Sequence, residues 1–184
     1  LAEVTRIALT EQSATSVCLV RILCREWGIA PEFVPRRGPL SEVMASADGL
    51  VLIGDEALHV LRTKVYPYNY DLGEEWERVS GLPMVFAVCA ARRDFVAARP
   101  DAADAVGLAL LASRDRCAAQ PEQTAADAAL RYDFSQAYLI EYFDRLKYGF
   151  TPEYRRGLLE FYRRAAAIGE LDRVPDLAEP GDGV

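Results

Sequence analysis

The feature that most constrains the fold is a change of rhythm near Arg92. Before it, short β-rich runs alternate with amphipathic helical stretches; after it, only helical patterns remain. Alternation of this kind is the mark of βαβ units around a parallel sheet, each strand followed by a helix that covers it. Val4 to Leu9 reads as the first strand. Ser13 to Ser16 opens a helix with Val17, Val20, Cys24 and Trp27 at i+3 and i+4 spacing, and Gly28 is its expected stop. Glu32 to Val34 is a second strand, and Leu40, Val43, Met44 and Ala47 form a helix face. Gly49 to Ile53 is a continuous apolar run expected to be a strand buried on both sides. Asp55 to Lys64 is expected to be helical, Tyr66 to Tyr70 an edge or crossover strand because of Pro67, Glu74 to Val79 a short helix, and Met84 to Ala90 the longest strand.

The later segment reads as helices over Pro100 to Ala119, Glu122 to Leu130 and Phe134 to Lys147, the last with a stripe of Tyr138, Tyr142 and Leu146. Thr151, Pro152 and Glu153 supply an N-cap, an N1 proline and a first-turn acid for a helix running to Gly169. The expected organisation is an α/β lobe over 1–92, a helical segment over 93–173 and a loose tail over 174–184.

Charge and motifs narrow the function. In 184 residues, 21 Lys and Arg stand against 28 Asp and Glu, a net charge of −7 that repels phosphate backbones, and Arg36-Arg37, Arg92-Arg93 and Arg155-Arg156 are isolated pairs. Nucleic acid is therefore not an expected partner. No apolar stretch reaches the ~18 residues that span a bilayer, and no leader pattern precedes the first strand, although Leu1 stands so close to it that an upstream segment is expected. Cys18, Cys24, Cys89 and Cys117 have no metal-like spacing and read as reduced core thiols of a cytoplasmic protein. There is no GxGxxG, GxxxxGK[ST], HExxH or GxSxG.

The most informative turn is Thr10-Glu11-Gln12-Ser13-Ala14-Thr15-Ser16. Helix-start N–H groups bind carboxylates or phosphates, and Ser and Thr hydroxyls add donors; in open α/β sheets such a turn lies at the strand ends where ligands sit. Ser13, Ala14, Thr15 and Ser16 are thus the candidate substrate-binding residues, against the reading that Ser13 is only an N-cap. Asp55, after the buried run, is the candidate catalytic carboxylate, against a second N-cap. His59 is the single histidine and falls on the polar side of its helix. Tyr66, Tyr68 and Tyr70 alternate along one extended face as half-buried packing.

In order, Ala8-Leu9-Thr10, Ser13 to Val17, Leu52-Ile53-Gly54-Asp55-Glu56-Ala57-Leu58, Tyr70 to Trp76, Gly81 to Val88 and Gly157 to Tyr162 with Ala165-Ala166 resemble the menaquinone-biosynthesis family of the futalosine route, in its chorismate-dehydratase branch. The likeness runs from Val4 to about Gly169. It implies a two-lobed fold of the type II periplasmic-binding-protein kind, acting in the cytoplasm on a small dicarboxylate with no cofactor and no metal. The implied reaction is loss of water from chorismate to give 3-[(1-carboxyvinyl)oxy]benzoate, with a protein or substrate carboxylate as base. The family's N-terminal segment with a Pro-Tyr-Leu-Asn-type motif has no counterpart here, and Cys89 stands where a Trp is common. The helical segment would then pack on that other lobe. A solute-binding protein for a small carboxylate and the sister dihydroxynaphthoate-forming enzyme, which is expected to use a cleft histidine, are the alternatives.

Overall fold

The computed structural model describes residues 3–177. The chain forms two compact units, one made of the segment up to Ala87 together with the segment from Thr151, the other of Val88–Phe150. The first is α/β and the second wholly helical, and α9, the chain's last described helix, returns to the first. The division therefore differs from 1–92 followed by 93–173, because apolar faces far apart in sequence meet there. Of the tail, residues 178–184 lie outside the described residues.

Among the described residues the sheet has three parallel strands, β1 (Arg6–Leu9), β2 (Glu32–Pro35) and β3 (Gly49–Leu50), in the order β2-β1-β3. Ile7 lies opposite Phe33 on one side and Gly49 on the other. After β1 the chain crosses to one neighbour through α1 (Ala14–Glu26), then back past β1 through α2 (Leu40–Met44). With right-handed crossovers the reversal places these two helices on opposite faces. Accordingly Ile7 and Leu9 pack with Val20 and Cys24 of α1, while Ala8 packs with Val43 of α2 and with Ala47. Successive β1 residues are buried on both faces for this reason.

The Gly49 to Ile53 run is only partly as expected. The strand ends at Leu50, the Val51 N–H adding one more bond to Ala8 O at 2.9 Å, and Val51 alone is buried, since among the described residues β3 has a neighbour on one side only. Tyr66 to Tyr70 and Met84 to Ala90 are not strands at all. β-propensity without a partner ladder gives no strand, and the sheet does not extend to either segment. Tyr68 is 79% exposed, so it is not half-buried packing; Tyr70 lies beside Trp27, ring centroids 6.0 Å apart.

Below the α1 face lies the main core. Trp76 of α4 (Leu72–Ser80) is fully buried with Leu19, Ile22 and Leu23 of α1 and with Phe161 and Ala165 of α9 (Pro152–Ala167). Phe161 meets Trp76 edge to face at 6.0 Å, and the Arg164 guanidinium lies over the same indole at 5.2 Å. Gly157 lets α9 close on the chain after α4: a Cβ there would stand 2.2 Å from Pro83 O. Gly28 and Gly169 end α1 and α9 alike. Each has positive φ, and the residue after it donates its N–H back across the last turn, from Ile29 to Cys24 O and from Glu170 to Ala165 O, while the glycine N–H itself bonds Arg25 O or Ala166 O.

α3 (Gly54–Thr63) completes the first unit. The second holds α5 (Arg93–Ala98), for which the sequence pattern carries no signal, α6 (Pro100–Ala119), α7 (Pro121–Ala129) and α8 (Gln136–Arg145). α7 and α8 pair around Ala125, Phe134 and Leu139, and the Tyr138–Tyr142 stripe appears as stacked rings, 6.3 Å between centroids. Cys18 and Cys24 are buried core thiols as expected, whereas Cys89 and Cys117 are exposed, so only half of the core-thiol expectation holds.

Candidate functional site

Parallel strands all send their carboxyl ends to one edge, and in the order β2-β1-β3 the chain reverses direction across β1. Ligand sites of open α/β sheets lie outside the strand ends at such a reversal. A cleft of about 290 Å³ is found there, lined by Thr10 and the two residues after it from the end of β1, Arg36 and Gly38 from the end of β2, and Glu56 from α3. A second hollow of about 360 Å³, at Arg116, Gln120, Thr124 and Arg131, lies wholly within the helical unit.

Each lining group is held by its element. Thr10 is 8% exposed; its Oγ accepts the Gln12 N–H at 3.2 Å, which turns the chain after β1. The Arg36 N–H donates to Leu9 O at 2.9 Å, carrying the β1–β2 ladder one residue past the strand and fixing the arginine at the rim. Its guanidinium grips Glu56 in a two-pronged ion pair, Nη2 to Oε1 at 2.7 Å and Nη1 to Oε2. These hydrogen bonds hold the Glu56 carboxyl below the usual carboxylate range, with burial opposing and the Arg36 charge adding to the effect. Gly38, at φ +85°, turns the chain away beyond Arg36. Among the described residues Arg36 is the single cation in the lining, beside Glu11 and Glu56.

The Ser13 to Ser16 turn opens α1 directly behind this edge. Ser13 is the N-cap: its Oγ accepts the Ser16 N–H at 3.1 Å and donates to Ser16 Oγ at 2.9 Å. The N-cap role is therefore real, and Ser16 is buried. Ala14 is exposed and Thr15 half-buried in the first turn, where backbone N–H groups have no intrahelical acceptor. None of the four lines the cleft itself, which is formed by the three residues before them.

Asp55 is exposed in the first turn of α3 and does not line the cleft; its neighbour Glu56 does. Nor does Asp55 cap the helix, because Ile53 occupies that position in extended conformation, without a side-chain bond. His59 lies one turn further along α3, half-buried and outside the lining. Arg36 and Glu56 are the site residues that sequence reasoning misses. The signal available is an arginine immediately after a strand, at the same end as the hydroxyl-rich turn.

Among the described residues no three His, Cys, Asp or Glu side chains are gathered as a metal site would need, and no helix is long and apolar enough to cross a membrane.

A family model described as menaquinone biosynthesis matches residues 1–167. The chorismate dehydratase of Thermus thermophilus is 38% identical over 109 residues, 51% of this chain and 40% of that protein. The chain thus matches about two fifths of the length of this curated relative.

Proposed function

The chain belongs to the menaquinone-biosynthesis family, and from that premise we propose that the protein is a hydro-lyase that removes water from chorismate. The observation that carries the reading is the match to a chorismate dehydratase at 38% identity, together with a cleft at the sheet's switch point. The product would be 3-[(1-carboxyvinyl)oxy]benzoate, formed in the cytoplasm on the futalosine route. One ring C–O bond and one ring C–H bond break, the hydroxyl leaves with the proton as water, and the ring becomes aromatic.

Aromatisation supplies much of the driving force, so positioning the substrate and excluding water carry more weight than a strong protein nucleophile. An acidic chain needs a local site to hold a dicarboxylate, and the start of α1 supplies it in this reading. Ser13 and Ser16 order the turn through their mutual bonds, leaving the Ala14 and Thr15 N–H groups and the Thr15 hydroxyl to meet a carboxylate. Asp55 or a carboxylate of the substrate itself takes the ring proton. The test is to incubate the full-length protein with chorismate and to look for the aromatic product by mass spectrometry. Binding without turnover would replace this reading by that of a carboxylate-binding protein.

A further inference from the structure

The Arg36–Glu56 pair stands in the wall of the cleft at the sheet's carboxyl edge. It links the end of β2, fixed by the Arg36 N–H to Leu9 O bond, to the first turn of α3, a helix that buries none of its described residues. Glu56 is 43% exposed and Arg36 21% exposed, so the pair opens into the cleft at little desolvation cost. The guanidinium is a planar fork, which matches a carboxylate in two-pronged fashion, whatever molecule presents it. Beside it, Thr10 Oγ accepts the Gln12 N–H and carries a proton of its own to donate. A guanidinium and a nearly buried hydroxyl donor therefore face the same cavity of about 290 Å³.

We propose that Arg36 is the residue that positions a substrate carboxylate in this cleft, and that Glu56 is an internal stand-in which the ligand displaces from the guanidinium. This rests on the reading of the protein as a dehydratase of a dicarboxylate and deepens it. It accounts for why an acidic cleft wall carries one arginine: Glu56 keeps the guanidinium folded against the rim until a better-placed carboxylate arrives. The exchange forms and breaks no covalent bond.

The test uses the full-length protein, with chorismate turnover and with calorimetric titration of benzene-1,3-dicarboxylate as an inert probe. Arg36→Gln is expected to raise KM for chorismate and Kd for the probe by at least about tenfold, with kcat changed much less, and Arg36→Lys to recover part of the loss. Glu56→Gln is expected to lower both constants severalfold. That gain should vanish in the Arg36→Gln background, because the competitor has nothing left to compete for, whereas mere removal of a negative charge would act equally in both backgrounds. A KM and Kd within twofold of wild type for Arg36→Gln, or an undiminished Glu56→Gln effect in the double variant, overturns the inference while leaving dehydration intact. Probe binding that depends on Arg36 in a protein inert towards chorismate would support the carboxylate site and reject the dehydratase. Failure of the wild type to bind either dicarboxylate overturns both.

Discussion

At the scale of single residues, stability and ligand binding separate within one turn of α1. Ser13 carries the cap, so Ser13→Ala should lower the unfolding free energy by roughly 1 kcal/mol in a denaturant titration. Thr15 takes no part in that cap. Thr15→Ala should leave the denaturation midpoint almost unchanged while raising KM for chorismate about tenfold, the value of one hydroxyl donor to a charged acceptor. Replacing His59 by Ala should leave turnover within about twofold, since the proposed reaction gives His59 no part; a loss of several orders of magnitude would instead favour the histidine-dependent sister reaction. Asp48 gives a pH-dependent counterpart away from the cleft. Its carboxylate accepts three hydrogen bonds, from Thr5 N, Thr5 Oγ and Arg6 N, and the backbone bond from Thr5 leads the others in holding its carboxyl below the usual range. A depressed folded value stabilises the fold above the unfolded value of about 3.9 and ceases to do so as pH falls through the folded one. Asp48→Asn should therefore lower Tm at pH 7, with the gap from wild type closing below about pH 4. The candidate turn was legible because caps are local chemistry, written in Ser13 and its three followers. Arg36 was not, because its role depends on Glu56, a distant residue in the chain brought near only by the crossing to β3.

At the scale of elements, the helices follow the sequence closely and the strands do not. α6 runs from Pro100 to Ala119 and α9 opens at Thr151 and Pro152, as their local signals dictate. N-caps, N1 prolines and C-terminal glycines act within a turn of the residues that encode them. A strand exists only through its neighbour, so Val85, Phe86 and Val88 can be as β-prone as any and still remain unpaired. The same distinction applies to Gly157. In the helix interior a glycine costs roughly 1 kcal/mol relative to alanine, so an exposed one would be improved by substitution. Here the added methyl would strike the Pro83 carbonyl, a backbone atom that cannot swing aside. Gly157→Ala should therefore destabilise, by roughly 1–3 kcal/mol as overpacked cores do, despite the gain in helix propensity. A rise in the denaturation midpoint of this variant would show that α9 does not approach the chain at Pro83.

At the scale of the whole molecule, the placement of α9 decides which surfaces are core. No local pattern reveals that Phe161 and Ala165 belong with Leu19 and Trp76, since the matching faces lie far apart in the chain and apolar stripes carry no address. α9 leaves the fully buried indole with an edge-on ring and a guanidinium above it. Two changes test this placement at different strengths. Phe161→Ala removes a buried ring, 6% exposed, and should cost roughly 3–5 kcal/mol of unfolding free energy. Ending the chain at Phe150 removes the helix altogether and opens Trp76, Leu19 and Leu23 to water. That shortened chain should show red-shifted tryptophan emission and bind a hydrophobic dye, because Trp76 is one of only two tryptophans and loses its cover. If the segment after Arg92 were instead one unit of its own, the cut would damage that unit and leave the Trp76 emission where it was. Unchanged emission would thus return α9 to the helical segment, and a red shift places it in the α/β unit whose cleft the proposed reaction uses.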